Sequence, residues 1–356
     1  MSDASIKSTM NARLPASPVL LQGSAQAGAN LSLAATAWMV SGITASPLLN
    51  TLLPALGALP FLLHLKRTAR GYWLQIVGVL ILLGVSLALK PMGEYKTLLL
   101  LGSFAAVLLF QIGQEISALP LQRQLIDEAG SSMKRLRSSQ EIGSLIGNLL
   151  AALLFPALRQ FLPALVLLLP LAVVSSRPAR RPRPTGAENS SSNPLPWNRS
   201  CVLQGLVMGG LFALLALWVR EIDGGRCFDF GMVLAAYGLG RTLLNNKIPA
   251  LHSSWHLYGL LGALLGLGQV LPGWMTTVLF LPIGTLAAAT DRQLVTTLMP
   301  NDPAQGWQIL QRSGSIGGLA GVLLMGGLAQ WLGLPISLGL QLVLFVTAPL
   351  LMRTIR

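Results

Sequence analysis

CVLQGLVMGGLFALLALWV, residues 201–219, runs for 19 residues without a charged side chain. A helix needs about 20 mostly apolar residues to cross the hydrocarbon core of a bilayer. This stretch meets that requirement, and it is one of many. Just before it, residues 177–200 are rich in Arg, Pro, Ser and Asn. Such a composition reads as a flexible polar linker, and apolar runs resume on its other side.

Working outward from that boundary, apolar runs broken by charges or Gly/Pro punctuation predict twelve helices. They fall near 19–41, 45–64, 71–90, 97–118, 139–158, 161–176, 201–219, 227–246, 257–273, 275–291, 308–331 and 335–353. The sixth run is short and carries Pro163 and Pro170; the first is unusually polar, with Gln22, Gln26 and Asn30. The expected fold class is an all-α polytopic membrane protein of about twelve transmembrane helices. The expected organisation is a tail at 1–18, a six-helix bundle at 19–176, the linker at 177–200 and a second six-helix bundle at 201–356. Met1–Ser17 is polar and lacks the apolar core and small-residue cleavage site of a signal peptide. The first spans themselves are therefore expected to direct insertion.

Bulk composition agrees with this reading. Of 356 residues, 53% are apolar and 10% charged, with a mean hydropathy of +0.63. Soluble domains run about 25% charged, so water-soluble, disordered and disulfide-stapled classes are excluded. Cys201 and Cys227 fall at opposite ends of neighbouring predicted helices, too far apart to bridge.

The net charge of +13 fits two kinds of protein, one that binds nucleic acid and one whose membrane loops are basic. With the N-terminus in the cytoplasm, 20 of the 25 Lys and Arg residues fall on inner segments. Only Lys90, Lys96, Arg159, Arg220 and Arg226 fall outside. That bias follows the positive-inside rule and predicts cytoplasmic N- and C-termini, in the plasma (inner) membrane of a prokaryote. Phosphate-binding cations cluster on one face with aromatic partners, whereas these are dealt out between hydrophobic helices. The expected partners are the lipid bilayer and a small-molecule substrate, with no nucleic acid, and the chain is expected to be monomeric. Asn189-Ser190-Ser191 and Asn198-Arg199-Ser200 match the glycosylation acceptor pattern but face the cytoplasm on this topology, so they are chance matches.

The two bundles are related in sequence. Leu21-Gln22-Gly23 opens the first run and Leu203-Gln204-Gly205 the seventh, with Gly28 matching Gly210 at the same offset. Gln122-Arg123-Gln124-Leu125-Ile126 follows the fourth run, and Asp291-Arg292-Gln293-Leu294-Val295 follows the tenth. The fifth opens Gln140-Glu141-Ile142-Gly143-Ser144-Leu145-Ile146-Gly147, and the eleventh opens Gln311-Arg312-Ser313-Gly314-Ser315-Ile316-Gly317-Gly318. Gln, Gly, Ser and Gly recur there in register. Each match joins helix n to helix n+6.

Twelve spans, termini inside, a basic linker after the sixth and 6+6 halves resemble the major facilitator superfamily. The resemblance covers nearly the whole chain and is architectural. The family's signature between its second and third helices is a Gly, then an Asp-Arg pair with further basic residues. Here Gly57 leads to Lys66-Arg67-Thr68-Ala69-Arg70 without the Asp, and Gly238-Leu239-Gly240-Arg241 to Lys247 lacks it too. This departure leaves the subfamily and the usual cytoplasmic gating pair open.

Polar residues inside the predicted spans supply the candidate sites. Gln111, Gln114, Glu115 and Gln122 share one face of the fourth helix. An intramembrane carboxylate costs roughly 2.5 to 3.5 kcal/mol, so Glu115 asks for a reason. It is either a proton- or cation-coupling group or substrate contact, or a group at the cytoplasmic helix end that is solvated or paired with Arg123. Gln22, Gln26 and Asn30 form a stripe at i, i+4 and i+8, and Gln204 repeats Gln22. The resemblance implies that helices one, four, seven and ten line a central cavity, which makes these residues substrate candidates; otherwise they are glue between helices. Glu141, Ser144 and Asn148 share a face of the fifth helix, and Gln308, Arg312 and Ser315 share one of the eleventh. The resemblance sets the fifth helix beside the eighth, so Glu141 is expected to pair with Arg241 when the inside is closed, with Arg312 at the repeat-equivalent position. The alternative is that these charges cap helix ends. Gly143/Gly147 and Gly314/Gly318 are small-xxx-small patterns suited to close helix contact.

No His, Cys or Asp cluster has metal-ligand spacing, and no phosphate-binding Gly loop or Ser/His/Asp set is present. No cofactor or catalytic residue is expected. The reading favoured is a secondary transporter moving a small polar molecule by alternating access, with a proton as one candidate coupling ion. The alternative is a non-transporting membrane scaffold or pigment–protein assembly factor that retains the fold.

Overall fold

The computed structural model describes residues 18–63, 71–88, 95–129, 133–154, 197–222, 224–243, 254–271, 273–299 and 303–354. Every regular element among them is helical. The first five helices are α1 (Pro18–Ile43), α2 (Pro47–Ala58, continued by a 3-10 turn at Leu59–Phe61), α3 (Tyr72–Ala88), α4 (Lys96–Ala129) and α5 (Met133–Leu154). Then come α6 (Arg199–Leu217, continued by a π turn at Trp218–Ile222), α7 (Cys227–Leu243) and α8 (Ser254–Val270). The chain ends with α9 (Trp274–Leu298), α10 (Pro303–Leu332) and α11 (Leu334–Thr354). These eleven match eleven of the twelve predicted runs; the sixth run, near 161–176, and most of the linker lie outside the described residues.

Local chemistry sets the ends. The Ser46 hydroxyl accepts the Leu49 N–H, and Pro47 begins α2 where its missing N–H costs nothing. The Asn198 side-chain oxygen accepts the Ser200 and Cys201 N–H groups at 2.9 and 3.2 Å, starting α6. That cap gives the Asn198-Arg199-Ser200 triplet a structural role. A single residue, Gly333 at φ 89°, separates α10 from α11, a conformation glycine adopts without strain. At 34 residues α4 is about 50 Å long, so it continues beyond the apolar run ending near 118.

Among the described residues, four helices qualify as membrane spans on length and apolarity together: Lys96–Ser117, Arg199–Glu221, Ile309–Leu332 and Leu334–Arg353. Twelve such spans were expected along the whole sequence; the sixth lies outside the described residues, and α1 falls below the criterion for a physical reason. The polar groups Gln22, Ser32, Thr36 and Ser41 of α1 are buried among other helices, which lowers the helix's mean hydropathy without exposing them to lipid. Pro47–Ala58 and Tyr72–Ala88 are apolar but short.

Outward-facing side chains are those a bilayer requires. Leu80, Leu98, Leu101, Leu267, Val270, Val343 and Val346 are exposed. Trp73, Trp274 and Trp331 stand out near helix ends at 58%, 72% and 89% exposure, where indole rings favour the headgroup layer.

Close helix pairs form where glycines remove side chains. Helix α1 lies along α5, α3 along α4, α6 along α10 and α7 along α9. A Cβ on Gly143 would collide with the Gly23 carbonyl, and one on Gly147 with the Ala27 carbonyl. A Cβ on Gly205 would likewise collide with the Gly314 carbonyl, and one on Gly209 would come within 2.6 Å of the Gly318 Cα. These are the same contacts at repeat-matched positions: Gly23 corresponds to Gly205, Gly143 to Gly314 and Gly147 to Gly318. The repeat in the sequence is thus a repeat of packing. The tightest seats of α10 against α6 are nevertheless Gly317 and Gly321, at the Val202 and Leu206 carbonyls, rather than Gly314 and Gly318. The sequence pattern marked the correct surface three residues, just under one turn, out of register.

The helices before the linker meet those after it along α2–α10 and α5–α7. Ser46 donates to Gln330 at 2.8 Å, Thr51 seats against Gly326, and Ala152 seats against Gly231. Asn148 donates to the Leu234 carbonyl at 3.4 Å, and Gly238 faces Leu145. The α5–α7 contact is the one the family resemblance implied between the fifth and eighth helices. Helix α1 is shared: Leu31, Ala34 and Trp38 pack into the core of α6–α11, while Ala35, Met39 and Val40 pack with α2–α4. Below, the "linker end" is where α1 and α6 begin, and the "far end" is where they finish.

Gly143→Ala is expected to destabilise the protein by about 1 to 3 kcal/mol, the usual cost of overpacking. Gly84→Ala, with nothing within 4 Å of the new methyl, gains up to about 1 kcal/mol of helix propensity. Thermal unfolding in detergent checks both, and equal shifts for the two variants would contradict the packing described.

Candidate functional site

Two polar clusters lie within the bundle. The first starts on α1, where residues four apart stack on one face. Gln26 Nε2 donates to Asn30 Oδ1 at 3.0 Å, and Asn30 Nδ2 donates to the Ser144 hydroxyl of α5. One turn further along α5, Asn148 bonds α7. The predicted α1 stripe and the predicted α5 face therefore join into one polar track that leads from α1 through α5 to α7. Gln22, at the start of the stripe, is 6% exposed and its Oε1 has no hydrogen-bond partner.

On α4, Gln111 is buried at the α2 contact, with its side chain 4.0 Å from a Cβ on Gly57. Glu115 follows one turn on, half-buried. Ser117 accepts from Gln75 of α3 at 2.8 Å. The side chains of Gln122, Arg123 and Gln308 lie outside those described. Arg312 is half-buried on α10.

The second cluster is charged and lies at the linker end of α6–α9. Gln204 is 3% exposed. Its Nε2 donates to Thr290 at 3.3 Å and to Asp291, while its Oε1 accepts from the Tyr258 hydroxyl at 2.7 Å. Asp291 in turn accepts from Arg241 at 2.8 Å, with side-chain exposures of 18% and 24%. Arg241 also donates to the Tyr237 hydroxyl at 3.3 Å, with its guanidinium 5.8 Å from that ring's centroid. Three helices thereby meet at one carboxylate, and α8 joins them through Tyr258 and Gln204. Close α7–α9 packing brings them together, since Gly240 seats against the Leu281 carbonyl and Gly284 against the Tyr237 carbonyl.

Arg241 was expected to meet Glu141 when the inside is closed. Its carboxylate partner here is Asp291 of α9, because Arg241 sits one turn beyond Tyr237 on the side of α7 turned to α9. Glu141 of α5 instead lies within electrostatic reach of Arg292, the neighbour of Asp291. Gln204, expected as a solute contact, has both ends of its amide committed to the cluster.

Asp291, at the centre of this cluster, is not among the site residues the sequence pointed to. It had served only to mark the repeat with Gln122. The usable signal was an acid-base pair, Asp291-Arg292, inside a helix that continues to Leu298. Ending the tenth run at 291 placed that pair at the membrane surface.

Among the described residues, no three His, Cys, Asp or Glu side chains come together in a way that could hold a metal ion. The clusters can offer hydrogen bonds, and a buried charge pair can lock helices. Breaking a buried ion pair by removing one partner leaves an uncompensated charge, at a cost of about 3 to 5 kcal/mol when fully buried. Asp291→Asn is therefore expected to destabilise by about 2 to 4 kcal/mol, and adding Arg241→Gln should restore part of the loss. A double-mutant cycle of thermal unfolding in detergent measures this; strictly additive effects would show that the two groups are not coupled.

No protein-family model matches the chain, and no curated protein matches it by sequence. Solved structures do. An auto-inhibited peptide transporter of the POT family aligns with a TM-score of 0.63 and 13% identity, over 95% of this chain and 96% of that one. The nucleoside transporter NupG aligns at 0.61 and 12%, over 94% and 99%. A bacterial homologue of the human lysosomal transporter Spinster, inward-facing and unoccupied, aligns at 0.58 and 13%, over 95% and 97%. At such identities the likeness concerns the fold alone: over almost its whole length the chain shares the fold of these transporters.

Proposed function

We propose that the chain is a secondary transporter that moves a small polar molecule across a membrane by alternating access between two six-helix halves. The observation that carries this reading is the recurrence of the α1–α5 glycine contacts as the α6–α10 contacts at repeat-matched positions. Two copies of one bundle rocking about a site between them is how such repeats work in transporters. The charge bias supports a cytoplasmic linker end, with both termini on that side.

The solute candidates are Gln22, Gln26, Asn30 and Gln111, with Glu115 as substrate contact or coupling carboxylate. Gln204 serves the Asp291 cluster instead. At the linker end, Glu141 acts on Arg292, with Asp291 holding Arg241 beside it and Arg312 on the neighbouring α10. A carboxylate that pairs across the halves in one state and loses its partner in the other biases the equilibrium between states. Amides and hydroxyls with one carboxylate suit a neutral or weakly cationic polar solute; nucleosides and short peptides, cargoes named for two structural neighbours, are the first to try.

Uptake into proteoliposomes of nucleosides, short peptides and sugars, with and without an inward proton gradient, tests the proposal. Accumulation above protein-free vesicles is expected. Glu115→Gln should cut gradient-driven uptake by about tenfold or more, equivalent to some 1.4 kcal/mol. Uptake of none of the panel would favour the scaffold reading.

A further inference from the structure

Trp38 lies near the end of α1, and Arg220 lies in the π turn that continues α6. They are separated by the same number of residues as Gln22 and Gln204, or Gly23 and Gly205. Trp38 and Arg220 are therefore mates of the internal repeat. A position touches its own mate only where two copies meet on the axis relating them, as at an isologous interface. These two touch. The Arg220 guanidinium carbon lies 4.1 Å from the Trp38 ring centroid, and Nη2 donates to the Trp38 carbonyl at 3.0 Å.

The surroundings are shaped for this contact. A Cβ on Gly42 would come within 2.9 Å of Nη1, so glycine at that position leaves the guanidinium its space. The Trp38 ring stacks on Phe230 of α7, centroids 5.7 Å apart at 23°, which extends the contact to a third helix. A π turn changes helical register by one residue and is often found at functional sites; this one carries Arg220. The Arg220 Nε is buried without a hydrogen-bond partner. An arginine has five donors to satisfy, and separation of the helices would return this one to water.

We propose that Arg220 and Trp38 form the gate of the far end, a cation–π clamp on the repeat axis that is closed in this structure and separates when the far side opens. The proposal rests on the alternating-access reading. It also gives a role to one of the few cations outside the cytoplasmic set, since Arg220 is an element of contact between helices rather than a loop charge.

The native cysteines supply the test. Cys227 opens α7 within electrostatic reach of Arg220, and Cys201 is fully buried towards the other end of α6. In membranes, the labelling rate of Cys227 by a membrane-impermeant maleimide reports far-end opening, with Cys227→Ser as the blank. Arg220→Ala and Trp38→Ala should raise that rate several-fold. Trp38→Phe, which keeps a weaker aromatic face, should raise it less. Trp255→Ala, which removes the separate Arg353 contact at 5.6 Å, should leave it unchanged.

Unchanged labelling in the Arg220 and Trp38 variants overturns the clamp, as does an equal rise in Trp255→Ala, which would mean general loosening. If Arg220→Ala does not fold, Trp38→Phe decides, a rise upholding the clamp and an unchanged rate overturning it. Raised labelling in a protein that takes up no solute keeps the clamp and defeats the transporter reading. Solute uptake with unchanged labelling does the reverse.

Discussion

Helices in a bilayer gain nothing by hiding apolar surface from one another, because lipid tails are as apolar as leucine. What holds them is close contact, and close contact requires that one helix lack side chains where another passes. The whole bundle depends on that constraint. Gly143 and Gly147 on α5, Gly205 and Gly209 on α6, Gly317 and Gly321 on α10 and Gly284 on α9 each meet a neighbour's backbone at a distance that excludes a methyl group. Ridges into these grooves set the helix spacing, and helix spacing decides which polar groups meet.

Both polar clusters follow from that spacing. Asn30 reaches Ser144 because α1 and α5 are pressed together at Gly23–Gly143 and Ala27–Gly147. Asp291 reaches Arg241 because Gly240 and Gly284 press α7 against α9. Gln204 then closes the second cluster from α6, tying it to the same helix whose other end carries Arg220. One helix thus links a charge network at the linker end to the aromatic contact at the far end.

Much of the architecture was legible in the chain. Apolar runs found eleven helices that the structure describes, with α7 and α10 starting or ending within a few residues of expectation. The repeat found pairs of positions that make equivalent contacts. Boundaries failed where polar and charged residues begin: the fourth and tenth runs were closed near 118 and at Asp291, yet α4 and α9 continue to Ala129 and Leu298. Hydropathy reads the preference for lipid over water, and an α-helix leaves the bilayer without changing its backbone. The same bias hid Asp291, which a helix boundary had moved out of the bundle, and it made Arg220 a loop cation.

The sequence by itself determined the helical fold class, the repeat and the surfaces where helices touch. Those properties are written in periodicity and composition, which are local. Which polar groups pair was decided only by tertiary structure. Arg241 could reach a carboxylate on α5 or on α9, and the interhelix crossing at Gly240 and Gly284 selects Asp291. Trp38 and Arg220 share a repeat position in the sequence, but only the meeting of α1 and α6 makes that shared position a contact. Periodicity fixes the face of a helix, while partnership depends on distances between helices that no single segment encodes.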